Sequence, residues 1–150
     1  MRRRYVISLI VVAIVVFLVI SALLTRALSV GGAEEAAITN LVRAEARGDV
    51  AGITGLMHDC GATCRGRAAI NVSALRRSGM VSILQITGPP GFALRSAVST
   101  ARVAWIVGDS LPRVQCVRVR RAGSVLDGFR IQLLVVSRRI RSDAVCPRSY

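Results

Sequence analysis

The stretch AVSTARVAWIVGDSLPRVQCVRVRR, residues Ala97–Arg121, decides the fold. In its first run, every second residue from Ala101 has an apolar side chain. In a strand these side chains share one face: Ala101, Val103, Trp105 and Val107. The turn-forming residues 108–112 separate this run from a second alternating run. Because alternation on both sides of a short turn is typical of a hairpin, we predict antiparallel strands over Ala97–Val107 and Val114–Arg121.

Two further runs extend this hairpin into a four-stranded sheet. Val81–Thr87 is rich in β-branched residues and precedes the turn sequence Gly88-Pro89-Pro90-Gly91. Phe129–Arg139 follows an Asp-Gly turn pair. Its alternation predicts one shared face for four side chains: Phe129, Ile131, Leu133 and Val135.

The residues before the strands predict helices. An apolar stripe at helical spacing runs through Ile38, Leu41, Val42 and Ala46. Gly48 is a typical helix stop, and Asp49 can cap a second helix from Val50 to about His58. A third helix is predicted over Val72–Ser78, with Asn71 as its N-cap. Helices followed by strands with short turns indicate an α+β domain, in which two to three short helices pack on one face of a four-stranded antiparallel sheet.

The N-terminal segment predicts a membrane anchor. Val6–Leu24, VISLIVVAIVVFLVISALL, carries no charge and as a helix spans about 28 Å, close to the thickness of a hydrocarbon core. Arg2–Arg4 precede it and only Arg26 follows closely, which by the positive-inside rule places residues 1–5 in the cytoplasm. Residues 25–32 then form a linker, and residues 33–150 an extracytoplasmic domain. The chain is thus expected in the cell membrane as a single-pass protein.

A cleaved signal peptide is the alternative, since a weak small-x-small site exists at Ala27-Leu28-Ser29. The apolar run is longer than the 7–15 residues typical of such peptides, which favours an uncleaved signal anchor. Either alternative exports the rest of the chain.

The charge of the chain points to anionic partners. All 21 basic residues are arginine, and the net charge is +13. The absence of lysine suggests a GC-rich, actinobacterial type of genome. Alternation places a basic stripe on the third and fourth strands and the tail, from Arg118, Arg120, Arg121, Arg130, Arg138, Arg139 and Arg141. Export and few aromatic residues argue against nucleic acid, so an anionic partner would be lipid or wall polymer, and a solvated basic surface without a ligand is the other interpretation.

The four cysteines predict two structural disulfides, because an even number in an exported chain is typical of disulfides. Cys60 and Cys64 lie one helical turn apart, which favours a Cys60–Cys64 bond and leaves Cys116 to pair with Cys146. A metal site of His58 with Cys60 and Cys64 would have only three ligands at unusual spacings. A redox dithiol would have three residues between its cysteines instead of two.

No set of residues predicts catalysis. The exported part has one histidine, His58, and one tyrosine, Tyr150, and the predicted strand faces carry no clear carboxylate. There is no glycine-rich phosphate loop. We therefore expect neither a catalytic site nor a cofactor, and a non-enzymatic domain.

The stretch VRAEARGDVAGITGLM, Val42–Met57, resembles the opening of nuclear-transport-factor-like, or cystatin-like, domains. The resemblance covers about residues 33–140 and implies a cone of helices on a curved four-stranded sheet. Many actinobacterial members carry an N-terminal anchor. The family includes isomerases, dehydratases and proteins of no known chemistry, and isomerase-like members use an acid and a hydroxyl that have no match here.

These observations together predict an accessory or protein-interaction module at the cell envelope, attached to the membrane by Val6–Leu24. Two alternatives remain open. The arginine stripe suits an anionic envelope polymer or lipid, and an apolar concave sheet face suits a small apolar ligand or an isomerase-like reaction.

Overall fold

The fold is described from a computed structural model, which covers residues 2–88, 95–124 and 126–147. It is an α+β domain with a long N-terminal helix, as the sequence predicted. The elements in chain order are α1 (Arg2–Arg47), α2 (Val50–Leu56), α3 (Ala62–Leu75), β1 (Val81–Thr87), β2 (Arg95–Val107), β3 (Arg113–Ser124) and β4 (Gly128–Val136). The strands form one antiparallel sheet in the order β1-β2-β3-β4, and this sheet is not closed.

Helix α1 combines the predicted anchor and the first domain helix in 46 continuous residues, about 70 Å long. The expected linker at residues 25–32 is helical, so the break predicted at Gly31-Gly32 does not occur. Each glycine costs a helix only about 1 kcal/mol, which is too little to interrupt a long helix. The large apolar side chains from Val6 to Ile20 are exposed, whereas Val30, Ile38 and Leu41 are buried against the domain.

The ends of α1 and α2 follow the predicted capping chemistry. Gly48 has a φ of +81°, and Asp49 N donates to Ala44 O over 3.0 Å, which closes α1. The Asp49 carboxylate then accepts from Gly52 N over 2.7 Å and starts α2. Helix α2 ends at Leu56, two residues earlier than expected, because His58 N donates instead to Leu133 O on β4.

The third helix differs most from its prediction. It runs over Ala62–Leu75 instead of Val72–Ser78, and Asn71 lies inside it rather than at its start. Asn71 is buried, and its amide donates to side-chain and backbone acceptors in the core. A polar residue inside this helix is therefore stabilised by tertiary hydrogen bonds, which sequence propensity does not register.

The core lies between the helices and one sheet face. Ala101, Val103, Trp105 and Val107 are all buried there, as predicted from their alternation. On β4 the prediction needs one correction: a register shift at Leu134 pairs Val117 with Val136 and turns Val135 to the other side. Val136 is therefore the buried residue, because a bulge reverses the alternation beyond it. The cone shape implied by the family resemblance stays a prediction, and the turn predicted at Gly88–Gly91 lies outside the described residues apart from Gly88.

Candidate functional site

The sheet has one face toward the helices and one face away from them. On β2 and β3 the odd-numbered residues face the helices, since Val103 pairs with Gln115 and Ala101 with Val117. The even-numbered residues form the opposite face, which we call the outer face. Every predicted anion-binding arginine on the strands can be assigned to one face from this register.

Three of the predicted anion-binding arginines share the outer face. Arg118 pairs with Val135, Arg120 pairs with Gln132, and Arg130 lies opposite Ala122. Arg120 and Arg130 are exposed and Arg118 is partly exposed. We call these three residues the arginine face.

Arg121 lies on the other face of the sheet. Because consecutive strand residues alternate, it cannot join Arg120 on the outer face. Its guanidinium pairs with Glu34 on α1, with Nη2 and Nε at 2.7 and 2.8 Å from Oε2. Arg121 therefore holds α1 against the sheet and does not extend the arginine face.

The C-terminal segment crosses part of the outer face. Ile140 pairs with Val114, and Arg102 donates to Ser142 O. Val114 and Cys116 are consequently buried although both are outer-face residues. Arg138, Arg139 and Arg141 belong to this exposed segment rather than to a strand, and Arg141 pairs with Asp143 at 3.3 Å. The covered half of the outer face is the half distant from the β3–β4 turn, so the C-terminal segment, as far as Pro147, leaves the arginine face uncovered.

The cysteines pair as favoured from their spacing. Cys60 and Cys64 are bonded across the start of α3, with Cα atoms 5.2 Å apart. Cys116 and Cys146 are bonded with Cα atoms 5.7 Å apart, which fixes the C-terminal segment on the outer face. His58 lies beside Asp59, with 3.2 Å between Nε2 and Oδ2. Among the described residues, no three His, Cys, Asp or Glu side chains are grouped as metal ligands would be.

A buried polar network links α1, α3 and β3. Asn71 Nδ2 donates to Glu45 Oε1 over 3.0 Å and to Ser137 O over 3.1 Å, and Gln115 Nε2 also donates to Ser137 O. Gln115 Oε1 in turn accepts from the Trp105 indole over 2.8 Å. Glu45 is completely buried, and its Oε2 has no hydrogen-bond partner within the described part of the chain.

Burial raises the pKa of the Glu45 carboxyl from 4.5 to about 7, against the lowering effect of Asn71 and Gln115. The sequence prediction did not include this acid among the candidate carboxylates. Its position could have revealed it, since Glu45 lies seven residues after Ile38 and four after Leu41 on the apolar stripe of α1.

A cavity of about 320 Å³ lies elsewhere, between α2, the start of α3 and β4. Its floor is apolar, with Ile53, Met57 and Val136, and its rim carries Asp59 and Arg67. Glu45 does not line it. The cavity and the buried Glu45 carboxyl are therefore separate, and the carboxylate at the cavity is that of Asp59 on its exposed rim.

No family model, curated protein or solved structure matches this chain. The resemblance to nuclear-transport-factor-like domains therefore has no independent support.

Proposed function

We propose that this chain is a single-pass membrane protein whose exported domain is a non-enzymatic accessory module of the cell envelope. Helix α1 carries the proposal. In the described residues it is the one helix long and apolar enough to cross a membrane, and its apolar window is entirely unburied. The same helix continues into the core of the domain, so one continuous helix joins the anchor to the domain.

The two disulfides support a location of the domain outside the cytoplasm, because such bonds persist in oxidising compartments. Arg2–Arg4 support a cytoplasmic N-terminus. The test is protease treatment of intact spheroplasts expressing the full chain with a tag after Tyr150. The tag should be lost, and the chain should stay in the membrane pellet at alkaline pH. A protected tag, or release of the chain into the supernatant, would refute the topology or the anchor respectively.

The arginine face supports a second candidate function, binding of an anionic envelope polymer or lipid. Arg118, Arg120 and Arg130 lie on one open face, and the strand register places no acidic residue opposite them. Such clusters attract polyanions, and the attraction weakens with salt.

The double variant Arg118→Glu with Arg130→Glu should abolish low-salt retention of the full chain on isolated wall polymer or anionic vesicles. The matched control is Arg43→Glu with Arg65→Glu, which changes the net charge equally at exposed positions on α1 and α3. Equal loss in both variants would indicate a net-charge effect instead of a binding face. Unchanged retention in the first variant would exclude the face as a binding site.

A further inference from the structure

Helix α1 and strand β3 run in opposite directions past each other. Near the start of the domain, Glu34 pairs with Arg121. Farther along, Glu45 and Gln115 meet in the buried network through Asn71 and Ser137. Eleven helical residues advance about 16 Å and six strand residues about 20 Å, so α1 runs in a direction opposite to β3 while it crosses the sheet from β4 toward β1.

This alignment sets the height of the β3–β4 turn above the anchor. Glu34 lies ten residues beyond Leu24, the last residue of the apolar run, which is about 15 Å along a helix. From Arg121, which lies beside Glu34, β3 continues for three residues toward the anchor and ends at Ser124. Ser124 is therefore about 10 Å closer to the anchor than Arg121 is. Ser124, the last residue of β3, therefore lies within about 5 Å of the level at which the apolar run ends.

The chemistry of this turn suits a lipid interface. Leu126 is 75% exposed there. Arg130 and Arg120 of the arginine face lie just behind it, at the depth of headgroups once the turn meets the hydrocarbon boundary. Asp127 is the acidic residue in the turn, and its carboxylate accepts a 2.7 Å hydrogen bond from the Ser124 hydroxyl.

We infer that the β3–β4 turn rests on the bilayer that holds α1, with Leu126 at the hydrocarbon boundary and Arg130 and Arg120 on anionic headgroups. The inference rests on the proposed anchoring and names lipid, rather than wall polymer, as the ligand of this end of the arginine face. Lipid is favoured because the turn lies at the level of the membrane whenever α1 spans it. The exposed apolar side chain of Leu126 would also not contribute to binding a polyanionic polymer.

The experiment places a tryptophan at the tip of the full-length chain in vesicles of phosphatidylcholine and phosphatidylglycerol brominated on the upper acyl chain. Leu126→Trp should lose fluorescence by bromine quenching and shift to the blue. The native Trp105 is fully buried in the core and gives a constant background. The matched control is Leu111→Trp, which is 78% exposed at the opposite, β2–β3 end of the sheet and should not be quenched.

Phe17→Trp, within the anchor, tests anchoring separately from the position of the turn. Quenching of Phe17→Trp without quenching of Leu126→Trp overturns the lipid contact and leaves the anchor intact. Absence of quenching in Phe17→Trp overturns the anchoring itself. Adding Arg130→Glu to Leu126→Trp should reduce the quenching, and adding Arg118→Glu, about 13 Å farther from the membrane, should not. Equal effects of the two charge reversals would contradict the proposed contact.

Discussion

Asn71 donates a 3.0 Å hydrogen bond to one carboxylate oxygen of Glu45 inside the core, while the other oxygen has no partner in the described residues. The pair joins α1 to α3 across 26 residues of sequence. Ionising a buried carboxyl with one unpartnered oxygen is unfavourable. The protonated form is therefore preferred, and the pKa of Glu45 is raised.

The first prediction is that the domain becomes less stable as pH rises through neutrality. Because the pKa of Glu45 is about 7 when folded and near 4.5 when unfolded, the folded state binds the additional proton between these values. This contribution to the free energy of unfolding is complete below about pH 4.5 and is lost as pH rises through about 7. The total loss is about 3 kcal/mol. Thermal unfolding of the full chain in detergent, followed by the near-ultraviolet signal of Trp105, measures it.

Glu45→Gln should flatten that pH profile because the amide does not titrate. Glu35→Gln is the control, since Glu35 is an exposed neighbour on the same helix. A profile that keeps its slope in Glu45→Gln would assign the pH dependence to other groups.

The elements that sequence predicted best are those governed by local chemistry. The Gly48-Asp49 pair decides where α1 stops and α2 starts, and alternation alone identifies the buried face of β2. Both signals act within a few residues of chain and need no knowledge of distant contacts.

The elements that sequence missed depend on distant partners. Asn71 suits a helix cap locally, yet it lies inside α3 because Glu45 and Ser137 accept its hydrogen bonds. The predicted basic stripe includes Arg121, although strand alternation separates it from Arg120, and its contact with Glu34 confirms that it faces α1. The bulge at Leu134, which exchanges Val135 and Val136, likewise follows no residue signal in β4.

The second prediction compares the two disulfides. Replacing Cys116 and Cys146 by alanine should lower the free energy of unfolding by about 3–4 kcal/mol, because that bond spans 30 residues. Replacing Cys60 and Cys64 should lower it by only about 2 kcal/mol, because these cysteines are four residues apart. Parallel thermal unfolding of both double variants measures the difference. A larger loss in the Cys60 and Cys64 variant would contradict this ranking.

The third prediction concerns the cap between α1 and α2. Asp49→Ala removes the acceptor for Gly52 N and should cost about 1 kcal/mol. Asp49→Asn should recover most of the loss, because the asparagine side chain caps helices equally well. Failure of asparagine to restore the melting temperature would mean that Asp49 acts through its charge rather than through the hydrogen bond.

The fourth prediction addresses the turn proposed to meet the membrane. Gly123 has a φ of +109°, and a Cβ there would collide with the carbonyl oxygen of Gly128 across the base of the turn. Gly123→Ala must therefore move the two strands apart or strain the backbone. We expect the free energy of unfolding to fall by about 1–3 kcal/mol, and a tryptophan at position 126 to be quenched less by bromine. Gly55→Ala is the control, because that glycine lies in α2 with open space around it and should gain up to about 1 kcal/mol. Unchanged stability and quenching in Gly123→Ala would show that the turn tolerates a second conformation and that its position is not fixed by this close approach.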